Sequence, residues 1–268
     1  MSLPSGLLNP GFVGDNIADI TRLADILERV AEDCGLRGQK NWSVSLPSAS
    51  ARTAILSLKE LPASRKELEE VLDFKAETSF GVPSSQLRTS VQKIGTDREG
   101  RTRFFATAVK LSVVDEFETI FESLGWRAGL ILPRAVSELN WLSRMRSAED
   151  ALLISSQRDG FTALLVRNGE PALVRSVICG DNEIDDEIFR LLVYYKDKYE
   201  IGGDGGSAGR FLLISEGTLN ERFAGISAEA LGTSARLLGP ADIGLDLPGN
   251  LRFTDVAAPA GLAALGWR

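Results

Sequence analysis

The chain has 268 residues, 44% of them hydrophobic and 25% charged, with a net charge of −7, no histidine and two cysteines. At roughly 100–200 residues per domain, this allows one large domain or two modest ones, with a sizeable core. Without histidine, neither Ser-His-Asp nor Cys-His catalysis nor a histidine metal site is available. Cys34 and Cys179 lie far apart and make no disulfide scaffold, which points to a reducing, cytoplasmic setting. The acidic balance argues against nucleic acid as a partner. No apolar run approaches the ~18 residues of a membrane-spanning helix, and the opening residues carry no basic stretch followed by an apolar one, so no signal peptide is expected.

Residues 1–16, with Pro4, Gly6, Pro10 and Gly14, read as loop. Ile17, Ile20, Leu23, Ile26, Leu27 and Val30 then recur at helical spacing, with Asp15 or Asn16 placed to cap the start and Cys34-Gly35 to end it. Residues 42–46 alternate as a short strand that stops at Pro47. Residues 52–58 read as a strand closed by Leu61-Pro62. Ser64-Arg-Lys-Glu67 has the form of a capping box, opening a helix to about Thr78 that buries Leu68, Val71, Leu72 and Phe74. After the turn Phe80-Gly-Val-Pro83 come two strands, 88–94 and 101–109, around a hairpin loop at 96–100. A helix follows, with Phe117, Ile120, Phe121 and Leu124 on one face and Gly125 as its stop. Pro133 opens a further helix to about Arg146.

The last 120 or so residues carry the clearest pattern. Strands are expected at 151–155, 161–166 and 172–178. The first two are joined at Asp159-Gly160 and the last two at Asn168-Gly169, a strong type I′ hairpin signal. A long helix from Asp181 to about Tyr199, the glycine-rich loop 202–209, a strand at 211–215, a helix at 217–231, a strand at 235–238 and a small-residue helix at 255–265 complete the order β-β-β-α-β-α-β-α. That order is the ribonuclease-H-like unit shared by actin and the sugar kinases, an α/β fold used in pairs. The front of the chain supplies only the tail of a first such unit. The expected organisation is a remnant of a first actin-like half at 1–47, an inserted α+β subdomain (β-α-β-β-α) at 48–132, a connecting helix at 133–149 and a second actin-like half at 150–268.

Several short stretches, in this order and spacing, carry a further likeness: Leu3-Pro-Ser-Gly6, Ser45-Leu-Pro47, Leu58-Lys-Glu-Leu-Pro62 through Glu67-Leu-Glu-Glu70, Phe80-Gly-Val-Pro83, Phe105-Ala-Thr-Ala-Val-Lys110 before Val114-Asp-Glu-Phe117, and Gly261-Leu-Ala263 near the end. In these the chain resembles the PilM family, cytoplasmic actin-like proteins of type IV pilus assembly related to FtsA and to the cytoplasmic part of GspL. The resemblance implies a scaffold at the cytoplasmic face of the inner membrane. Its partner would be the N-terminal cytoplasmic peptide of a PilN-like membrane protein, with pilus motor ATPases as possible further partners, and it would reach the membrane through a partner and not by inserting. A GspL-like secretion component, a divergent ATPase and an FtsA-like polymer former are the alternatives the resemblance leaves open.

Many family members hold ATP, so the resemblance also locates a nucleotide site. Its chemistry needs an aspartate to organise Mg²⁺ and glycines that let backbone N–H groups reach the phosphates. The second phosphate hairpin of this class reads Asp-x-Gly-x-x-x-Thr. Here the matching stretch ends on Thr162, with Ser155 and Gln157 replacing the aspartate and glycine in one register and Ser156 and Arg158 in the other. Either way the carboxylate is lost. The paired glycines expected after the strand at 211–215 are replaced by Ser215-Glu216-Gly217, which adds a negative charge. The expectation is a degenerate pocket, no nucleotide cofactor, no metal and no catalysis. The glycine-rich loop reads as a linker, Glu67, Glu69 and Glu70 as a solvated face, and Asp181, Glu183, Asp185, Asp186 and Glu187 as carboxylates stabilised at a helix N-terminus. Trp126, Trp141 and Trp267 read as core or edge residues. For the peptide, the candidate surface is Leu61, Pro62, Phe80, Val82 and Pro83, apolar corners beside a sheet that suit an extended segment.

Overall fold

The structure is a computed structural model that describes residues 3–144, 150–199, 209–249 and 251–266. The chain divides into two compact units, Met1–Arg134 and Ala135–Arg268.

In the first unit, α1 (Ile20–Asp33) is capped by Asp19, whose carboxylate accepts the Arg22 N–H at 2.9 Å. The cap is neither Asp15 nor Asn16, because Asn16 is used elsewhere. Its buried amide accepts from the Gly11 N–H and the Ser50 hydroxyl and donates to the Gly11 and Gly14 carbonyls. The loop it closes is anchored by Leu7 and Phe12, both buried. Next come β1 (Asn41–Leu46), β2 (Arg52–Leu58), α2 (Arg65–Phe80), β3 (Leu87–Thr96), β4 (Thr102–Lys110), α3 (Leu111–Ser123) and β5 (Arg127–Pro133). Strands β2, β4 and β3 make an antiparallel sheet in that spatial order, with α2 on one face. The Ser64 hydroxyl accepts the Glu67 N–H at 3.1 Å, as the capping pattern predicts.

One residue of α2 departs from expectation. Leu72, Ala76 and Phe80 form its buried line, and Phe74 lies on the opposite side, 70% exposed. The strand β5 was not expected. It pairs in parallel with β1, from Asn41 beside Arg127 to Leu46 beside Pro133. Helices α1 and α3 share the core of this two-stranded sheet through Leu23, Ala24, Leu46, Val113, Val114, Phe117 and Ile120.

The second unit opens with α4 (Arg134–Arg144) and continues through β6 (Ala151–Gln157), β7 (Gly160–Arg167), β8 (Glu170–Ile178), α5 (Ile184–Tyr199), β9 (Arg210–Ile214), α6 (Thr218–Leu231), β10 (Arg236–Leu237) and α7 (Phe253–Gly266). Its sheet has the order β10-β9-β6-β7-β8, with antiparallel hairpins β6-β7-β8 and β9 parallel to β6. This is the ribonuclease-H-like order. Asn168 and Gly169 both have positive φ, 52° and 78°, as a type I′ turn demands.

Helices α5 and α6 cover one face of the sheet. Helices α4 and α7 meet at Gly261, where an added Cβ would stand 2.2 Å from the Ser137 carbonyl oxygen. Asn140 and Trp141 secure the crossing by donating to the carbonyls of Gly261 and Ala257 at 3.0 and 2.8 Å. The glycine-rich loop and Trp267 lie outside the described residues, apart from Gly209.

Candidate functional site

Successive strand residues point to opposite faces. Leu152, Ile154, Phe161 and Ala163 belong to the core under α5 and α6. Ser156 shares the face of Ile154, while Ser155, Gln157 and Thr162 project to the other side. Pairing sets Ser155 beside Thr162 and Thr162 beside Ser176, a row of hydroxyls across three strands. The Gln157 amide donates to Thr162 Oγ1, and Thr162 and Ser176 stand 3.4 Å apart. Ser155 Oγ donates to Glu138 Oε1 at 2.7 Å, and neither side chain has any exposed surface.

Glu138 is a residue that the sequence reading missed. The signal was there: Ala135, Glu138, Trp141 and Leu142 follow helical spacing, which places a carboxylate within an apolar stripe.

Ser155 also runs beside Ile214 of β9, so the turn after β9 lies near the hairpin row. Glu216 in that turn accepts the Thr254 hydroxyl at 2.8 Å and stands 3.8 Å from the Arg252 guanidinium. Ser215 bonds to the Asn220 side chain. Gly217, with φ 60° and ψ −139°, caps α6 in a backbone conformation that side chains disfavour. Of the expected pocket residues, Ser155, Gln157 and Thr162 share one face of the sheet, Glu216 and Gly217 follow the strand paired with Ser155, and Ser156 lies on the opposite face.

On the Ser155 face β6 and β7 present the hydroxyls of Ser155 and Thr162 and the Gln157 amide, and the hairpin's carboxylate, Asp159, stands at its tip. The buried Glu138 carboxylate is engaged by Ser155. Glu216 is held by Thr254 and Arg252.

At the start of α5, Asp185 pairs with Arg222 at 2.8 Å and Glu187 with Arg190 at 2.7 Å. Burial first, and then the carboxylates of Glu187, Glu183, Asp181 and Asp159, push the neighbouring Cys179 thiol up, away from reactive thiolate.

The peptide candidates separate. Leu61 and Pro62 precede the N-terminus of α2, while Phe80, Val82 and Pro83 lie at its far end. A helix of 16 residues spans about 24 Å. Leu61 and Pro83 are exposed, Pro62 is half-buried, and Phe80 and Val82 are core residues packed with Phe12, Leu72, Ala76 and Phe104. Gly81, left-handed at φ 71°, ends α2, and the chain beyond it turns Val82 inward. An exposed apolar corner at Phe80 and Val82 is therefore not present.

Comparison of the sequence with protein-family models and with curated proteins gives no match. Solved structures define the class as the actin-like ATPase fold, represented by a Bacteroides thetaiotaomicron protein of that fold and of unknown function. That protein has a TM-score of 0.51 and 11% identity, over 91% of this chain and 84% of that one. Within the class the chain is similar over its full length to a chain of a PilM-PilN type IV pilus biogenesis complex, with a TM-score of 0.78 at 15% identity, covering 90% of that chain. It is also similar to the cytoplasmic domain of EpsL, an inner-membrane component of the type II secretion system of Vibrio cholerae. There the TM-score is 0.52 at 13% identity, over 94% of this chain and 83% of that one.

Proposed function

We propose that this chain is a non-catalytic adaptor of type IV pilus assembly, which binds the cytoplasmic N-terminal peptide of a PilN-like membrane protein and is held at the inner membrane through it. The observation that carries this reading is the full-length likeness to the PilM-PilN complex chain, joined to a hairpin in which Ser155, donating to one oxygen of the buried Glu138, stands where the resemblance calls for a magnesium-organising carboxylate. Among the described residues no helix is long and apolar enough to cross a membrane, in keeping with recruitment by a partner. Pilus motor ATPases are the natural further partners of such an adaptor. Leu61, Pro62 and Pro83 remain the surface candidates for the peptide. The likeness to the EpsL domain supports a second reading, an equivalent role in a secretion platform.

Calorimetric titration with ATP–Mg²⁺ and, separately, with the head peptide of the membrane protein encoded beside this chain tests the proposal. Peptide binding without nucleotide binding is expected. Measurable ATP turnover, or failure to bind the head peptide, rejects it.

A further inference from the structure

The antiparallel block of β2, β4, β3 and α2 has a core of its own, and one side chain in that core comes from a distant part of the chain. Among the described residues, every buried member lies between Leu56 and Ala108 except Phe12. The Arg52 guanidinium, at the start of β2, stands over the Phe12 ring at 5.0 Å.

The segment that carries Phe12 is rooted in the other core of the first unit. Leu7 and Ile17 are buried there with Leu23, Leu46 and Val113. Their neighbours close a hairpin. Leu8 bridges to Ile17, the Asn9 N–H donates to the Asn16 carbonyl at 2.8 Å, and the Ala18 N–H donates to the Leu7 carbonyl at 3.0 Å. Of residues 9–15 Phe12 alone is buried, and Val13 beside it is 67% exposed.

Glu116 of α3 sets the position of this hairpin. Its Oε2 accepts the N–H groups of both Asn16 and Ile17, at 2.8 and 3.0 Å. Its Oε1 is buried with no hydrogen-bond partner. Among the described residues the hydrogen bonds of Glu116 therefore run to the hairpin backbone alone. Hydrogen bonds to a charged acceptor are the strong ones, so the carboxylate holds the base of the hairpin firmly while its far end depends on Phe12.

The block, residues 48–110, is of a size that is marginal by itself, at about 60 residues. An aromatic side chain supplied from outside therefore matters to it. Yet the supply runs through one buried residue among exposed neighbours, and segments with so few buried contacts open before the rest of a domain does.

We propose that residues 7–18 form a releasable strap. Closed, the strap inserts Phe12 and keeps the block folded. Open, it lets the block loosen while β1, β5, α1 and α3 stay packed. Glu116 is the positioning residue of the closed state. The inference rests on the fold and stands apart from the adaptor reading.

The test is native-state hydrogen exchange of the intact chain in dilute urea. It compares amides of β2 and β4, at 54–58 and 104–108, with those of α1 at 26–31. Phe12→Ala is expected to speed exchange in the block by about a hundredfold or more and to leave α1 unchanged. Glu116→Ala removes no hydrogen bond to the block, yet it is expected to speed exchange there by about tenfold. Added to Phe12→Ala it should have no further effect on the block, since both substitutions open the same strap. Equal acceleration in the block and in α1, failure of Phe12→Ala to fold, an unchanged block in Glu116→Ala, or additive effects of the two substitutions would each overturn the proposal.

Discussion

The hydroxyl of Ser155 and the carboxylate of Glu138 meet at 2.7 Å, with no solvent access to either. A buried carboxylate is tolerated only where hydrogen bonds replace the water it gave up. Glu138→Ala removes that acceptor and opens a void, and it is expected to cost about 3 kcal/mol of unfolding free energy in urea titration. Glu138→Gln keeps an oxygen for Ser155 and is expected to cost much less. Ser155→Asp restores the hairpin carboxylate but sets two acidic groups against each other. It is expected to destabilise the chain and still to bind no ATP–Mg²⁺ by calorimetry.

Val82 and Leu61 make a matched pair for testing peptide capture. Val82 is buried with Phe80 and Phe12, so Val82→Asp strands a charge in the core. The expected loss is about 3 kcal/mol or more, visible as a lowered thermal midpoint in circular dichroism. Leu61 is 47% exposed. Leu61→Asp is expected to leave the midpoint unchanged and to weaken binding of the head peptide in calorimetry. If Leu61→Asp has no effect on affinity, the N-terminal corner of α2 is excluded from the peptide site.

How much of this was legible beforehand depended on whether a signal was local. Ser64, Gly81, Asn168 and Gly169 announce their turns and caps through chemistry that needs only the neighbouring residues, and the structure has each in that role. The three hairpin strands and the alternating tail of the second unit follow from periodicity in the same way. The strand β5 was missed because its partner lies on the far side of an inserted block, and a short apolar run interrupted by Gly129 carries no period of its own. Asn16 was mistaken for a helix cap because a capping residue and a loop clasp look alike until Gly11 and Ser50 are brought to it. Phe74 was counted inward on composition, although the line through Leu72, Ala76 and Phe80 sets the buried direction. For the site, the absence of a carboxylate from residues 154–158 could be read directly, and the groups that Ser155 and Glu216 bond to could not, since both are long-range.

Gly261 and Gly225 should respond to alanine with opposite sign. At Gly261 the new Cβ would sit 2.2 Å from the Ser137 carbonyl. The crossing of α4 and α7 must then open, at an expected cost of about 3 kcal/mol. Gly225 lies in α6, exposed, with nothing within 4 Å of an added Cβ. Gly225→Ala is expected to stabilise by about 0.5–1 kcal/mol through helix propensity. Chemical denaturation of the two variants beside the parent chain reads both.

The hairpin tip at Asp97 is expected to respond to acid. Partial desolvation pushes its carboxyl up. The Arg101 side chain and the backbone N–H groups of Arg101 and Glu99 outweigh that and leave it below the ordinary aspartate value. A lowered folded-state value means that the contribution to stability is complete above the unfolded value and is lost as pH falls through the folded one. In a carboxyl NMR titration, Asp97 should protonate at lower pH than the exposed aspartates. Arg101→Gln should bring it back toward them.

The parallel pairing of Asn41 with Arg127 joins positions 86 residues apart, 127 minus 41. Closing so long a loop in a disordered chain is entropically unfavourable, and such contacts slow folding. The antiparallel block of β2, β4 and β3 with α2 lies wholly inside that loop, and it can form first from nearer neighbours. Once it has condensed, Leu46 and Arg127 are tethered to a small solid body and no longer to a long coil. Once folded, the insertion therefore offsets the closure cost that its own length imposes on the first unit's split sheet, and unfolding it without shortening the loop should slow the pairing of β1 with β5.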